Sequence, residues 1–318
     1  MRPLCSVSVD LDPLACYYAI HGLGEPRAEL RDVVLRRGLP RFAEIFARRR
    51  LHATLFVVGS DLADGGGPGR SLLGELAQAG HELGNHSTTH PYDMARLGRD
   101  RVDEEVGRAH DLIAEVAGAP PVGFRAPGYD LSSTMMDALL ARGYRYDSSL
   151  FPAPLYFAAK AAVMATMALG GRKSGAVMTN PLALVAPAEP YRPSASHPWR
   201  RGQSPLVELP ISVTPWLRLP AFGSGPLGLL TAPTALRARV LESMRARRFF
   251  NFELHGIDLV DADDDGIPGE LVARQPDLRR PLVEKRRALE ATLDRLAPDF
   301  DFVTLREAAI EVQRIGQL

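Results

Sequence analysis

Two histidines four residues apart, His86 and His90, close the run His-Glu-Leu-Gly-Asn-His-Ser-Thr-Thr-His at positions 81–90. That spacing lets two imidazoles face one ion from a single turn of chain. Two imidazoles alone leave a divalent site short of a charged donor, so a third ligand has to come from elsewhere. Polar residues that follow apolar runs could supply it: Asp10 and Asp12, Arg125, Asp147 and His255 each stand at the end of a separate hydrophobic stretch. An α/β barrel gathers such strand ends on one face. There, one carboxylate and two imidazoles would make a three-ligand centre with open positions, the form that hydrolytic metal sites take. The other carboxylate and the last histidine are then available as base and acid.

The elements that must position these residues alternate. Strand patterns at 4–10, 53–58, 120–125, 144–147, 206–213 and 249–255 are separated by helix-length segments, and the histidine run forms a further strand with its exit loop. Helices are expected at 27–37, 40–50, 71–79, 96–117, 132–141, 234–247 and 278–296, the third ending at Gly80. Such alternation implies parallel strands and an α/β class. It breaks between 148 and 204, a Pro-, Ala- and Gly-rich insertion with one helical piece at 155–169. We read residues 1–318 as one catalytic domain carrying that insertion.

Composition narrows the partners. Lys and Arg together number 38, as do Asp and Glu, so the formal net charge is zero and no basic footprint for nucleic acid stands out. Cys5 and Cys16 do not make a disulfide framework. The chain enters a strand pattern almost at once, without a signal-peptide core, and a cytoplasmic location is expected. The apolar stretch at 155–169 is too short to span a bilayer and is interrupted by Lys160.

In these features the chain resembles the polysaccharide deacetylases, the carbohydrate esterase family 4 or NodB-homology enzymes. The resemblance rests on ordered motifs: Ser8-Val-Asp-Leu-Asp12 at a strand end, His86-Ser-Thr-Thr-His90, Arg125-x-Pro127-x-Tyr129, and Glu253-Leu-His255 closing an apolar strand. It implies a distorted (β/α)7-type barrel with a long insertion after the fifth strand. It further implies that Asp12, His86 and His90 hold a divalent ion, with Zn2+ the expected metal, and that Asp10 is general base, oriented by Arg125. Tyr129 would offer its backbone N–H to the oxyanion, and His255 would protonate the leaving amine with Asp147 as its partner. Asp10 and Asp12 are spaced Asp-x-Asp where the extracellular enzymes have adjacent aspartates. This looks like the atypical branch, similar to deformylases of lipid-linked formamidoarabinose.

The expected function is therefore metal-dependent hydrolysis of an N-acetyl or N-formyl amide on a sugar, with an N-acylated sugar or glycolipid as substrate. Two alternatives stand beside it: a hydrolase of a small non-sugar linear amide, and a catalytically silent glycan-binding member. For the insertion three readings are open. It is a lid over the site, a core helix, or a peripheral contact through 155–173 with the inner membrane face, beside Arg172 and Lys173.

Overall fold

The computed structural model describes residues 2–63, 67–171, 174–223, 225 and 228–314; Arg172 and Lys173, which flank the expected membrane contact, lie outside them. Among the described residues there are eight strands: β1 (Leu4–Asp10), β2 (Thr54–Val57), β3 (Glu82–Asn85), β4 (Gly123–Phe124), β5 (Tyr146–Asp147), β6 (Val207–Glu208), β7 (Phe249–His255) and β8 (Asp301–Phe302). Every ladder between them is parallel, in the order β6-β5-β4-β3-β2-β1-β7, and β8 pairs with the lower half of β1. The helices between them are α1 (Leu14–His21), α2 (Leu39–Arg49), α3 (Ser60–Ala63), α4 (Pro68–Gln78), α5 (Arg99–Ala117), α6 (Ser133–Ala141), α7 (Pro154–Leu169), α8 (Thr234–Met244), α9 (Gly269–Val272), α10 (Leu282–Leu296) and α11 (Leu305–Arg314).

The result is the curled parallel sheet, with helices outside, expected of a distorted (β/α)7 barrel. Its distortion is local. β6 and β7, the two ends of the ladder, are stitched by loop residues: Ser212 N donates to Asn251 O at 3.3 Å, Asn251 N to Ser212 Oγ at 2.8 Å, and Gly223 N to Glu253 O at 2.8 Å. β1 and β7, buried along nearly their whole length, form the longest ladder of the sheet.

Outside the sheet, Phe42, Ile45 and Phe46 of α2 pack with Leu55, Val57 and Leu83 in the main core, and Val102 and Val106 of α5 pack with Met135 and Leu139 of α6. Two-residue strands at β4, β5 and β6 are shorter than the alternation predicts. The expected helix at 27–37 is instead a 3-10 turn (Ala28–Leu30) followed by a π-helix (Val34–Gly38). Pro40 has no N–H to return to Arg36, which favours the wider turn there.

The insertion's helical piece is α7, within one residue of expectation. Only Phe157 and Met167 of it are buried, while Leu155, Val163 and Leu169 are exposed, so it is not a core helix.

Candidate active site and metal centre

Strand ends bring the predicted residues together. Asp10 ends β1 opposite His255, the end of β7. His86 and His90 leave β3, and Arg125 follows β4. His86 Nε2 and His90 Nε2 approach the same oxygen of Asp12, Oδ1, at 3.1 and 3.2 Å. His86 Nδ1 lies 2.7 Å from the carbonyl of Arg125. That contact fixes the proton on Nδ1 and leaves the Nε2 lone pair directed at the cluster, as a metal-binding imidazole requires. With Asp12 Oδ1 buried and receiving no hydrogen bond, the three side chains fit a divalent ion.

The loop that carries the histidines is held by two buried acceptors. Glu105 of α5 accepts from Thr88 N at 3.0 Å, Thr89 N at 2.8 Å and Thr89 Oγ1 at 2.7 Å. Asn85 Oδ1 accepts from Ser87 N at 2.8 Å. Ser87, His90 and Tyr129 all have positive φ, 66°, 59° and 66°, a conformation that non-glycine residues rarely adopt. Gly128, at φ 82°, could not be replaced without collision, since a Cβ there would stand 2.8 Å from Tyr92 O.

Arg125 is fully buried inside the barrel. Its Nη1 donates to Asp10 Oδ1 at 2.5 Å, Nε to Ser148 O at 2.9 Å, and Nη2 to Ser8 Oγ and Ser148 Oγ at 3.0 and 2.9 Å. The guanidinium also lies 4.2 Å from the centre of the Phe56 ring. A buried guanidinium satisfied on every side holds one carboxylate in one place.

His255 is governed by carboxylates. Burial lowers its pKa, but Glu253, Asp12, Asp10 and Asp258 outweigh this and raise it to about 9, which favours the charged form. Tyr129 reaches it with its hydroxyl, 3.3 Å from Nε2. Among the described residues the Tyr129 backbone N–H meets no protein acceptor, and it remains available for a substrate oxygen.

Asp147 is held locally, beside Ser149. Its oxygens accept from Ser149 Oγ at 2.8 Å and Ser149 N at 2.9 Å, and it lies in register with Glu208 on β6. Ser149 Oγ in turn accepts from Ala126 N at 2.7 Å. Asp147 therefore supports the loop after Arg125, its described hydrogen bonds going to Ser149. Sequence patterns alone assign no role to Glu253 or to the serine–asparagine lattice of Ser8, Ser148 and Asn251. Their signal is alternation: Asn251, Glu253 and His255 are every second residue of β7, facing Ser6, Ser8 and Asp10 across the ladder.

Above these residues opens a cavity of about 560 Å³. Its floor is Asp10, Asp12, His86, His90 and His255, and its wall is α7, through Leu155, Tyr156, Ala159, Val163, Met164 and Met167. His21 also lines it, 2.9 Å from Gln275 Oε1.

The chain is similar to several known proteins. Residues 32–146 match the polysaccharide deacetylase family model. The peptidoglycan deacetylase of Helicobacter pylori is 26% identical over 155 residues, 46% of this chain and 49% of that one, so the chain spans about half of that relative. A crystal structure of a candidate polysaccharide deacetylase from Mycobacterium smegmatis superposes with a TM-score of 0.59 at 18% identity, covering 99% of this chain and 92% of that one. A candidate glycoside hydrolase/deacetylase from Parabacteroides distasonis gives a TM-score of 0.62 at 15% identity, over 98% and 72%. These two likenesses establish the shared fold. The matched stretch holds His86, His90, Arg125 and Tyr129, while Asp10, Asp12 and His255 are brought to it by β1 and β7. Residues 32–146 thus resemble the polysaccharide deacetylase family model, and the chain shares its fold with the two solved structures.

Proposed function

We propose that the chain hydrolyses an N-acyl amide, acetyl or formyl, on a sugar, releasing a free amine and a short carboxylate. The observation that carries this reading is the meeting of three groups on one barrel face: the Asp12, His86 and His90 cluster, Asp10 clamped by Arg125, and His255 in register with Asp10. A divalent ion held by the triad, zinc in our proposal, supplies Lewis acidity toward water and the amide carbonyl. Asp10, fixed by Arg125, takes the proton of the attacking water. The Tyr129 N–H receives the developing oxyanion. His255 gives its proton to the departing amine, and its carboxylate neighbours restore the charge.

The substrate we propose is a glycolipid. The cavity that leads to the site is walled by the apolar face of α7, and Lys160 on the same helix also lines it. The ammonium donates to Val177 O at 2.9 Å and has no carboxylate partner among the described residues, and burial lowers its pKa to about 8. An apolar wall bearing Lys160, with Arg274 also lining the cavity, suits a sugar carried on an anionic, lipid-like group. No described helix is long and apolar enough to cross a membrane. Peripheral contact of residues 155–173 with the inner membrane face is supported by exposed Leu155, Val163 and Leu169. Nearby exposed Leu182, Val185, Trp216 and Leu217 would extend it, since Arg218 ties the two loops through Leu184 O and Ala186 O.

Amine release from N-acetyl and N-formyl sugars, free, nucleotide-linked and polyprenyl-phosphate-linked, tests this. We expect zinc-dependent release that favours the lipid-linked members and falls by about 10²- to 10⁴-fold in Asp10→Asn. Turnover confined to small linear amides would replace the sugar reading. Glycan binding without metal uptake would point to a silent member.

A further inference from the structure

Glu253 stands between the two groups that the proposed reaction changes, and the role assigned to it rests on that reaction. Oxygens of Asp10 and Glu253 and a ring nitrogen of His255 all lie within 4.8 Å of one another. Glu253 is fully buried, yet among the described residues neither of its oxygens receives a hydrogen bond. Arg125, the nearest guanidinium, gives Nη1 to Asp10 at 2.5 Å and stands 4.0 Å from Glu253. An ionised carboxylate without donors is costly in such a place, whereas a carboxylic acid is not. The neutral acid can donate its O–H to Asp10, making a carboxyl–carboxylate pair that faces one guanidinium. Burial, reinforced by the Asp10 charge, pushes Glu253 up to about 8, in agreement with this arrangement, and with Glu253 neutral the charges of Asp12, Asp10 and Asp258 still favour protonated His255. A second cation on the same three groups is disfavoured, because Arg125 already supplies positive charge to Asp10.

We propose that Glu253 is a proton relay from Asp10 to His255. At the end of a turnover Asp10 has gained a proton from water and His255 has lost one to the amine. Glu253 passes its own proton to His255 and accepts the one on Asp10. Asp10 is again a carboxylate, Glu253 again an acid and His255 again an imidazolium, with no proton drawn from solvent.

Glu253→Gln keeps the volume and can still donate to Asp10, but it cannot hand a proton on. With zinc-loaded enzyme in excess, the first turnover of Glu253→Gln should run at the wild-type rate. Its steady-state rate should fall about a hundredfold, with KM and zinc per chain unchanged. Glu253→Asp, which retains an acid, should recover the steady-state rate to within about tenfold of wild type. Infrared spectra of the wild type should show the carbonyl stretch of a neutral carboxylic acid that Glu253→Gln lacks. Equal loss in both regimes, or loss in neither, overturns the relay, as does a second zinc bound by the wild type and lost in the variant. Should the wild type release no amine from any substrate, the proposed reaction fails, and the infrared band decides separately: its absence overturns a neutral Glu253.

Discussion

Two glutamates sit inside the barrel, both buried, and they are treated in opposite ways. Glu82, on β3, accepts from Thr54 Oγ1 at 2.8 Å, Tyr146 Oη at 2.9 Å and Arg306 N at 2.9 Å. Glu253, on β7, accepts from no donor among the described residues. The first ties β2, β3, β5 and the start of α11 into one unit. The second lies among Asp10, Arg125 and His255, where charge is left incompletely neutralised. A polar group that has all its partners stabilises a fold, while one deprived of them keeps its free energy available for chemistry.

That contrast can be sharpened with Glu105, a satisfied glutamate that borders the site. Glu105→Ala frees the Thr88 and Thr89 N–H groups and lets the His86–His90 loop relax from its positive-φ geometry. Zinc affinity, measured by competition with a chelator, should fall by roughly 10- to 100-fold. Unchanged affinity would show that the strained loop holds itself.

Glu82→Ala breaks the other side of the comparison. It strands the buried Tyr146 hydroxyl, at a cost of about 1–3 kcal/mol, and frees the part-buried Arg306 N–H. The urea midpoint should drop accordingly, while the rate per folded molecule stays at the wild-type value. A variant with intact stability and lost activity would reverse the roles assigned to the two glutamates.

The smallest expected effect is pH-dependent. His81 Nδ1 accepts from Ala53 N at 3.1 Å, and burial, with His52 adding to it, lowers the pKa of His81 to about 4. The unfolded chain takes up this proton near pH 6.5, before the native state does. Stability from this group is thus complete above pH 6.5 and declines as the pH falls toward 4. Urea midpoints at pH 7 and pH 5, in wild type and His81→Asn, should differ less in the variant; equal differences would remove His81 from the account.

Much of this was readable from the chain alone, because the chemistry sits at strand ends. His86, His90, Arg125 and His255 follow apolar runs, and a parallel barrel sends such positions to one face whatever the loop details. The polar interior was harder to read. Asn251 and Glu253 lie in a strand whose Phe249, Phe250, Phe252 and Leu254 make it look like simple core, and only pairing with β1 turns the alternate residues into a lattice. Asp147 reads as a strand-end carboxylate, but its local contact was not legible. Ser149, two residues on, offers both a backbone N–H and a hydroxyl, and these hold the carboxylate. The bounds of α7 followed from its composition, but which side of it faces the cavity did not, since it is apolar nearly all round.

Arg125 touches both halves of the site by different means: its main-chain carbonyl orients His86, and its side chain clamps Asp10. The two duties are separable by mutation. A descendant that lost the arginine side chain would keep the peptide that prepares His86 and would still load a metal, yet its base would be unrestrained. For the proposed activity, decay through that residue would leave a metal-binding protein with nothing to do to its ligand. Restoring one side chain would be the shortest way back.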